Sequence, residues 1–249
     1  MSYYRQVAYS FGPPLTGMVK RLILVTSAVF VLTYIPFQIF QSPYFALPFA
    51  WFSLRPDDVL HRFFLWELVT YLFLHGGFFH IIFNLFALWM FGSDLERLWG
   101  GKKFLYYFFL TGIGAGVCDV VLNGLFPSQI PTATIGNSGA VYGLLLAYGL
   151  AFPERPIYLY LIIPIKAKWF VAIMGLIEFV SSFSTPGSGV SHVAHLGGML
   201  FGFLYLRGSG LPYRLELRYQ DWRRARLRRK FEVYMRKQER KDEAGRWIN

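Results

Sequence analysis

The chain of 249 residues has one cysteine, Cys118, and little charge, with only 16% of its residues Asp, Glu, Lys or Arg. A single thiol excludes both a disulfide framework and a thiolate metal cluster. So few charges cannot coat a soluble domain of this length. A content of 55% hydrophobic and 20% aromatic residues, with a mean hydropathy of +0.38, is the composition of a membrane protein. Acidic residues are scarce as well, 14 against 25 Lys and Arg, yet the resulting +11 is not spread as a nucleic-acid-binding face would be. Between Pro212 and Asn249 stand 13 Lys or Arg against 6 Asp or Glu, leaving 12 against 8 elsewhere. The excess is a tail, and nucleic acid is not an expected partner.

Also lacking is a small-residue cleavage site after the first apolar run, Leu22 to Phe40. That run therefore reads as a membrane span and not as a secretion signal. Further runs follow at about 78–98, 104–122, 138–152, 165–183 and 190–206. The expected architecture is an all-α membrane protein. A six-transmembrane-helix bundle occupies residues 18–207, between a polar N-terminal segment, 1–17, and a basic tail, 208–249. The connection from Gln41 to Phe64, with Pro43, Pro48 and Pro56 among many Phe and Trp, is expected at the membrane interface, and 153–164 reads as a loop. Lys and Arg are absent from two of the three loops on one side, which hold only Arg55 and Arg62 in the first. By the positive-inside rule both termini are cytoplasmic, and a bacterial cell membrane is the expected setting of this multi-pass protein.

The fourth run opens as Ile135-Gly-Asn-Ser138-Gly-Ala-Val-Tyr142-Gly, so Ser138 falls where a loop punctuated by Pro and Gly becomes a helix. Two readings are open there. Ser138 is an N-cap, or it is a nucleophile whose developing anion is held by helix-start N–H groups that lack intrahelical partners. Fifteen residues rise only about 22 Å against a hydrocarbon thickness of about 30 Å, which sinks Ser138 below the membrane surface. Two other spans bring polar groups to the same depth. His80 and Asn84 are four residues apart on one helix face, and His195 lies just inside the start of the sixth span. Polar residues are expensive in lipid and face the protein interior. Gly139 and Gly143 on the fourth span, with Gly198 and Gly202 on the sixth, are spaced for close helix approach, which would bring Ser138 to His195.

These groups suit acyl transfer. His195 takes the Ser138 proton and later returns one to the leaving amine, while His80, Asn84 and the Ser138 N–H face the oxyanion, a single good donor contributing about 3–4 kcal/mol. No carboxylate is evidently placed to orient His195, and Tyr142, one turn below Ser138, can hold the ring by stacking. Four segments, L-H-G-G-F-F-H-I-I-F-N-L at 74–85, L-E-R-L-W-G at 95–100, G-N-S-G-A-V-Y-G at 136–143 and A-H-L-G-G at 194–198, resemble the rhomboid family of intramembrane serine proteases. The resemblance spans about residues 60–206. It implies Ser138 as nucleophile, His195 as base, His80 and Asn84 in the oxyanion hole, and Tyr142 packed on the catalytic histidine, with Gly136 and Gly139 supporting them. It also implies a six-helix core, no metal or cofactor, and transmembrane segments of other proteins as substrates. One departure is Trp66-Glu67, where many relatives have Trp-Arg.

Other residues fit less well. Asp119 and Glu178 read as interhelical hydrogen-bonding groups, and His192 is a rival for the base. His75 reads as a cap of the second span. The histidines 75, 80, 192 and 195 suggest zinc only weakly, since no carboxylate or cysteine completes the set. The tail is either a basic helix on an anionic lipid surface or a solvated segment. A non-catalytic relative that binds transmembrane helices is the alternative function.

Overall fold

The computed structural model describes residues 12–125, 133–159, 163–184, 191–208, 222, 226–229 and 231–235. Most of the N-terminal segment, the first part of the loop before Ser138, the turn before the last long helix and most of the tail lie outside the described residues. The chain divides into two compact units, Met1–Tyr205 and Leu206–Asn249. In the second, the described residues are helical, and the Arg226 guanidinium sits 5.3 Å from the centre of the Trp222 ring.

Helix α1 runs over Gly17–Phe40. Its N-terminal amides are capped from elsewhere in the fold. Thr16 makes no cap bond of its own, and Glu96 accepts from Met18 N and Val19 N, both at 2.9 Å. The connection that follows is more ordered than a loop. Prolines at the first turn open α2, Pro43–Phe52, and α3, Pro56–Arg62. In α3, Asp57 and Asp58 stand in the first turn and His61 and Arg62 in the last, the order the helix dipole favours. The short helix α4, Glu67–Thr70, and a 3₁₀ turn, Tyr71–Phe73, then lead inward. Glu67 is fully buried and accepts from Arg55 N at 2.8 Å, so this departure from the usual arginine ties down the first loop. Burial pushes its carboxyl above the usual range, with the Arg55 N–H acting against it.

The second long helix is continuous over Phe78–Trp99. It is built of α5, Phe78–Ala87, a π-helical turn at Leu88–Gly92, and α6, Ser93–Trp99. Helix α7, Gly101–Leu125, follows after Gly100, which turns the chain with φ +82°. Helix α8, Ser138–Ala151, is the shortest of the long helices and among the most buried. Among the described residues three helices, Gly17–Phe40, Phe78–Trp99 and Gly101–Leu125, are long and apolar enough to cross a membrane, and Ser138–Ala151 is a shorter apolar helix.

The segment read as a loop at 153–164 contains strand β1, Pro156–Leu159, paired antiparallel with β2, Ile163–Lys166, in the register Pro156 to Lys166. Single-sequence patterning misses it because the run Ile157 to Ile165 is apolar throughout and does not alternate. Helices α9, Ala167–Ser184, and α10, His192–Gly208, complete the fold.

Small residues decide how the helices meet. A Cβ on Gly198 of α10 would strike the Gly139 carbonyl oxygen of α8, so these two backbones touch. The other two glycines of the expected seam serve a different neighbour. A Cβ on Gly143 would meet Thr111 Cβ at 2.6 Å, and one on Gly202 would strike the Tyr107 hydroxyl, both on α7. Tyr107 donates to Gly143 O at 2.9 Å, so α7 takes the space that residues 143 and 202 leave.

Candidate active site

The backbone entering α8 is held on three sides. Leu54 and Thr134 form an antiparallel bridge with both N–H···O contacts at 2.9 Å, and Gly136 N donates to Tyr71 O at 2.8 Å. The Thr134 hydroxyl donates to Asp119 Oδ2 at 2.9 Å. Gly136 then takes φ +107°, a conformation that side-chain-bearing residues rarely adopt. Asn137 occupies the N-cap and makes no side-chain cap bond, so Ser138 is the first helical residue and the N-cap reading of Ser138 does not hold. Its N–H is one of those without an acceptor inside the helix.

At the other wall, Ser191 precedes α10. Its hydroxyl accepts from Ala194 N at 3.1 Å and donates to Asp119 Oδ1 at 2.5 Å. Asp119 thus joins α7 to both segments that carry the candidate pair. His195 Nε2 lies 2.7 Å from Ser138 Oγ, within hydrogen-bonding distance. The Tyr142 ring stacks on the His195 ring with centres 4.3 Å apart and planes 15° apart.

The expectation that no carboxylate orients His195 is overturned. Glu178 of α9 places Oε2 at 2.9 Å from His195 Nδ1 and at 2.6 Å from His192 Nδ1, and Tyr142 donates its hydroxyl to Oε1. Relative to His195 the carboxylate lies off the ring N–H direction, so the contact is a close approach of carboxylate to Nδ1 and not a straight hydrogen bond. The signal in the sequence was an acid inside an apolar run, but α9 could not be phased against α10 without the packing. His192 faces Glu178, while His195 is the imidazole that reaches the serine.

Of the two oxyanion candidates, only His80 has a contact with the segment that leads to Ser138. A Cβ on Gly136 would meet His80 Nε2 at 2.7 Å, so the His80 ring lies against the strand entering Ser138. Asn84 is buried and spends one amide hydrogen on His80 O at 2.8 Å. His75 does not cap α5. The N-cap there is Gly77, and His75 Nδ1 lies 3.3 Å from Phe73 O. Burial pushes the His75 imidazole down to about 4, leaving it neutral at pH 7. The zinc set weighed from sequence is not the one with ligand spacing. Among the described residues the ligand atoms of Glu178, His192 and His195 lie within 4.8 Å of one another, and they already pair among themselves.

The arrangement has parts that suit acyl transfer: a hydroxyl at a helix start, an imidazole within hydrogen-bonding distance of it, and a second imidazole against the segment leading to it. A family model described as the Rhomboid domain matches residues 62–209. The chain is 31% identical over 149 residues to the rhomboid protease GluP of Bacillus subtilis, covering 59% of this chain and 26% of that protein. It is 30% identical over 202 residues to a rhomboid protease GlpG homolog of Cronobacter sakazakii, covering 80% and 66%. To the mitochondrial rhomboid protein 1 of Saccharomyces cerevisiae it is 26% identical over 163 residues, covering 64% and 47%. The chain thus spans between about a quarter and two thirds of the length of these relatives. With a domain match over more than half of its residues, this apolar, mostly helical chain belongs to the rhomboid family.

Proposed function

We propose that this protein is an intramembrane serine endopeptidase that cleaves transmembrane segments of other proteins with a Ser138 and His195 dyad. The observation that carries this reading is the 2.7 Å contact from Ser138 Oγ to His195 Nε2 at the start of α8. Ser138 Oγ attacks the scissile carbonyl as its proton passes to Nε2. The negative oxygen is held by the Ser138 N–H, His80 and Asn84, and the imidazolium then protonates the leaving amine. Water repeats the cycle on the acyl-serine and releases the second product.

The short α8 supports a site below the outer face, since its 14 residues rise only about 21 Å. Six helices, α1, 78–99, α7, α8, α9 and α10, cross or enter the bilayer in this reading, with both termini cytoplasmic and the basic tail near anionic lipid. The relatives named as proteases favour the same chemistry at the level of the family.

The test uses the full chain in proteoliposomes with a single-span substrate protein. Cleavage is expected from the wild type and from neither Ser138→Ala nor His195→Ala, and a fluorophosphonate should label the wild type but not Ser138→Ala. Cleavage that survives both substitutions overturns the reading. An unlabelled wild type that still retains the substrate span favours a helix-binding, non-catalytic relative.

A further inference from the structure

Helix α9 turns an apolar surface outward, with Ile173, Leu176, Phe179 and Phe183 all exposed. Its buried residues are Ala167, Val171 and Glu178, four and seven positions apart and therefore on one face. A carboxylate on the inner face of an apolar helix is costly unless its oxygens are paired. Here both are. Oε1 accepts a hydrogen bond from the Tyr142 hydroxyl, and Oε2 lies between the Nδ1 atoms of His192, at 2.6 Å, and His195, at 2.9 Å. Tyr142 in turn covers the face of the His195 ring.

We infer that Glu178 is a positioning residue for His195, completing a serine, histidine and glutamate relay across α8, α10 and α9. The inference rests on the proteolytic reading of Ser138 and His195. An imidazole has two neutral tautomers, and only the one protonated at Nδ1 leaves the Nε2 lone pair free for the serine proton. A carboxylate at Nδ1 favours that tautomer, and it also stabilises the imidazolium formed when the Ser138 proton arrives. Because the carboxylate lies off the N–H axis, its effect is mainly electrostatic, and Tyr142 supplies the orientation by stacking. Tyr142 and His192 hold the carboxylate in place from its other sides. Nothing is consumed in the relay: the serine proton moves to Nε2 and onward to the leaving amine, while Nδ1–H stays where it is.

The experiment compares wild type, Glu178→Gln, Tyr142→Phe and Ser138→Ala as full chains in detergent. It measures fluorophosphonate labelling rate, kcat and KM on a single-span substrate, and the thermal unfolding midpoint. Glu178→Gln keeps the shape and a hydrogen-bond acceptor but removes the charge. It should lower kcat and the labelling rate together by about 10- to 100-fold, with KM near wild type and the midpoint lowered but the protein still folded. Tyr142→Phe keeps the stacked ring and frees one carboxylate oxygen, and should lower kcat in the same direction by a smaller factor. Wild-type labelling and turnover in Glu178→Gln overturns the inference, and so does a loss confined to KM. Should Glu178→Gln fail to fold, wild-type kcat in Tyr142→Phe overturns it instead. A wild type that neither labels nor cleaves, or an active Ser138→Ala, fails the proteolytic reading itself and is told apart by that control.

Discussion

Gly198 and Gly139 press backbone against backbone: a Cβ added to Gly198 would strike the Gly139 carbonyl oxygen and come within 3.3 Å of its Cα. One residue before Gly139 is Ser138, and one turn before Gly198 is His195. The nearness of the hydroxyl and the imidazole is therefore set by the absence of two side chains.

Gly198→Ala should push α10 off α8, because the obstructing atom is backbone and cannot swing away. We expect a stability loss of about 1–3 kcal/mol and a fall in activity of about 100-fold, since a misplacement on the order of 1 Å is enough. Thermal unfolding and fluorophosphonate labelling measure the two effects. Gly175→Ala is the control, because its Cβ would meet only the flexible end of Met199, at 3.3 Å. Equal behaviour of the two variants would sink the argument.

Gly136→Ala combines two penalties, an unfavourable φ of +107° and a Cβ 2.7 Å from His80 Nε2. Displacing His80 from its proposed place at the oxyanion should lower kcat by about 100-fold. If the loss acts through His80, then introducing Gly136→Ala into His80→Ala should cost much less than it does alone. Additive losses in the double variant would show that the glycine acts elsewhere.

Asp119→Asn keeps the shape but replaces one acceptor oxygen with a donor, against Ser191 Oγ at 2.5 Å and Thr134 Oγ1 at 2.9 Å. One half-buried hydroxyl then loses its acceptor, which costs about 1 kcal/mol. The effect should appear in thermal unfolding and be coupled to Ser191→Ala, because both act on the start of α10. Independent, additive effects would contradict this network.

Glu96→Ala leaves the amides of Met18 and Val19 without their acceptor. A drop of about 1–3 kcal/mol in stability is expected. The labelling rate of the folded protein should be unchanged, because 16 residues separate Glu96 from His80 along one helix, about 24 Å. Limited proteolysis at α1 gives a second readout, and unchanged protection there would argue against the cap.

Much of this was legible one residue at a time. Long apolar runs mark α1, 78–99 and α7, because a chain in lipid must satisfy its own backbone and a helix does so locally. The four-residue step from His80 to Asn84 puts both on one face whatever the bundle does. Gly136 before Ser138 announces a backbone that only glycine accepts easily. Such features depend on neighbours in the chain, and periodicity reports neighbours.

Tertiary structure decided the rest. Whether Gly143 and Gly202 met each other or α7 depended on where Tyr107 and Thr111 lay, and α7 took both. Residues 156–159 pair with 163–166 although both segments are apolar, and no alternation announced it. Above all, Glu178 became the partner of His195 only once the phase of α9 turned it inward, 17 residues away in sequence and 2.9 Å from the ring Nδ1 in space. Contacts between helices depend on rotation about each axis, and that angle is fixed by packing against the whole bundle and not by any local run of residues.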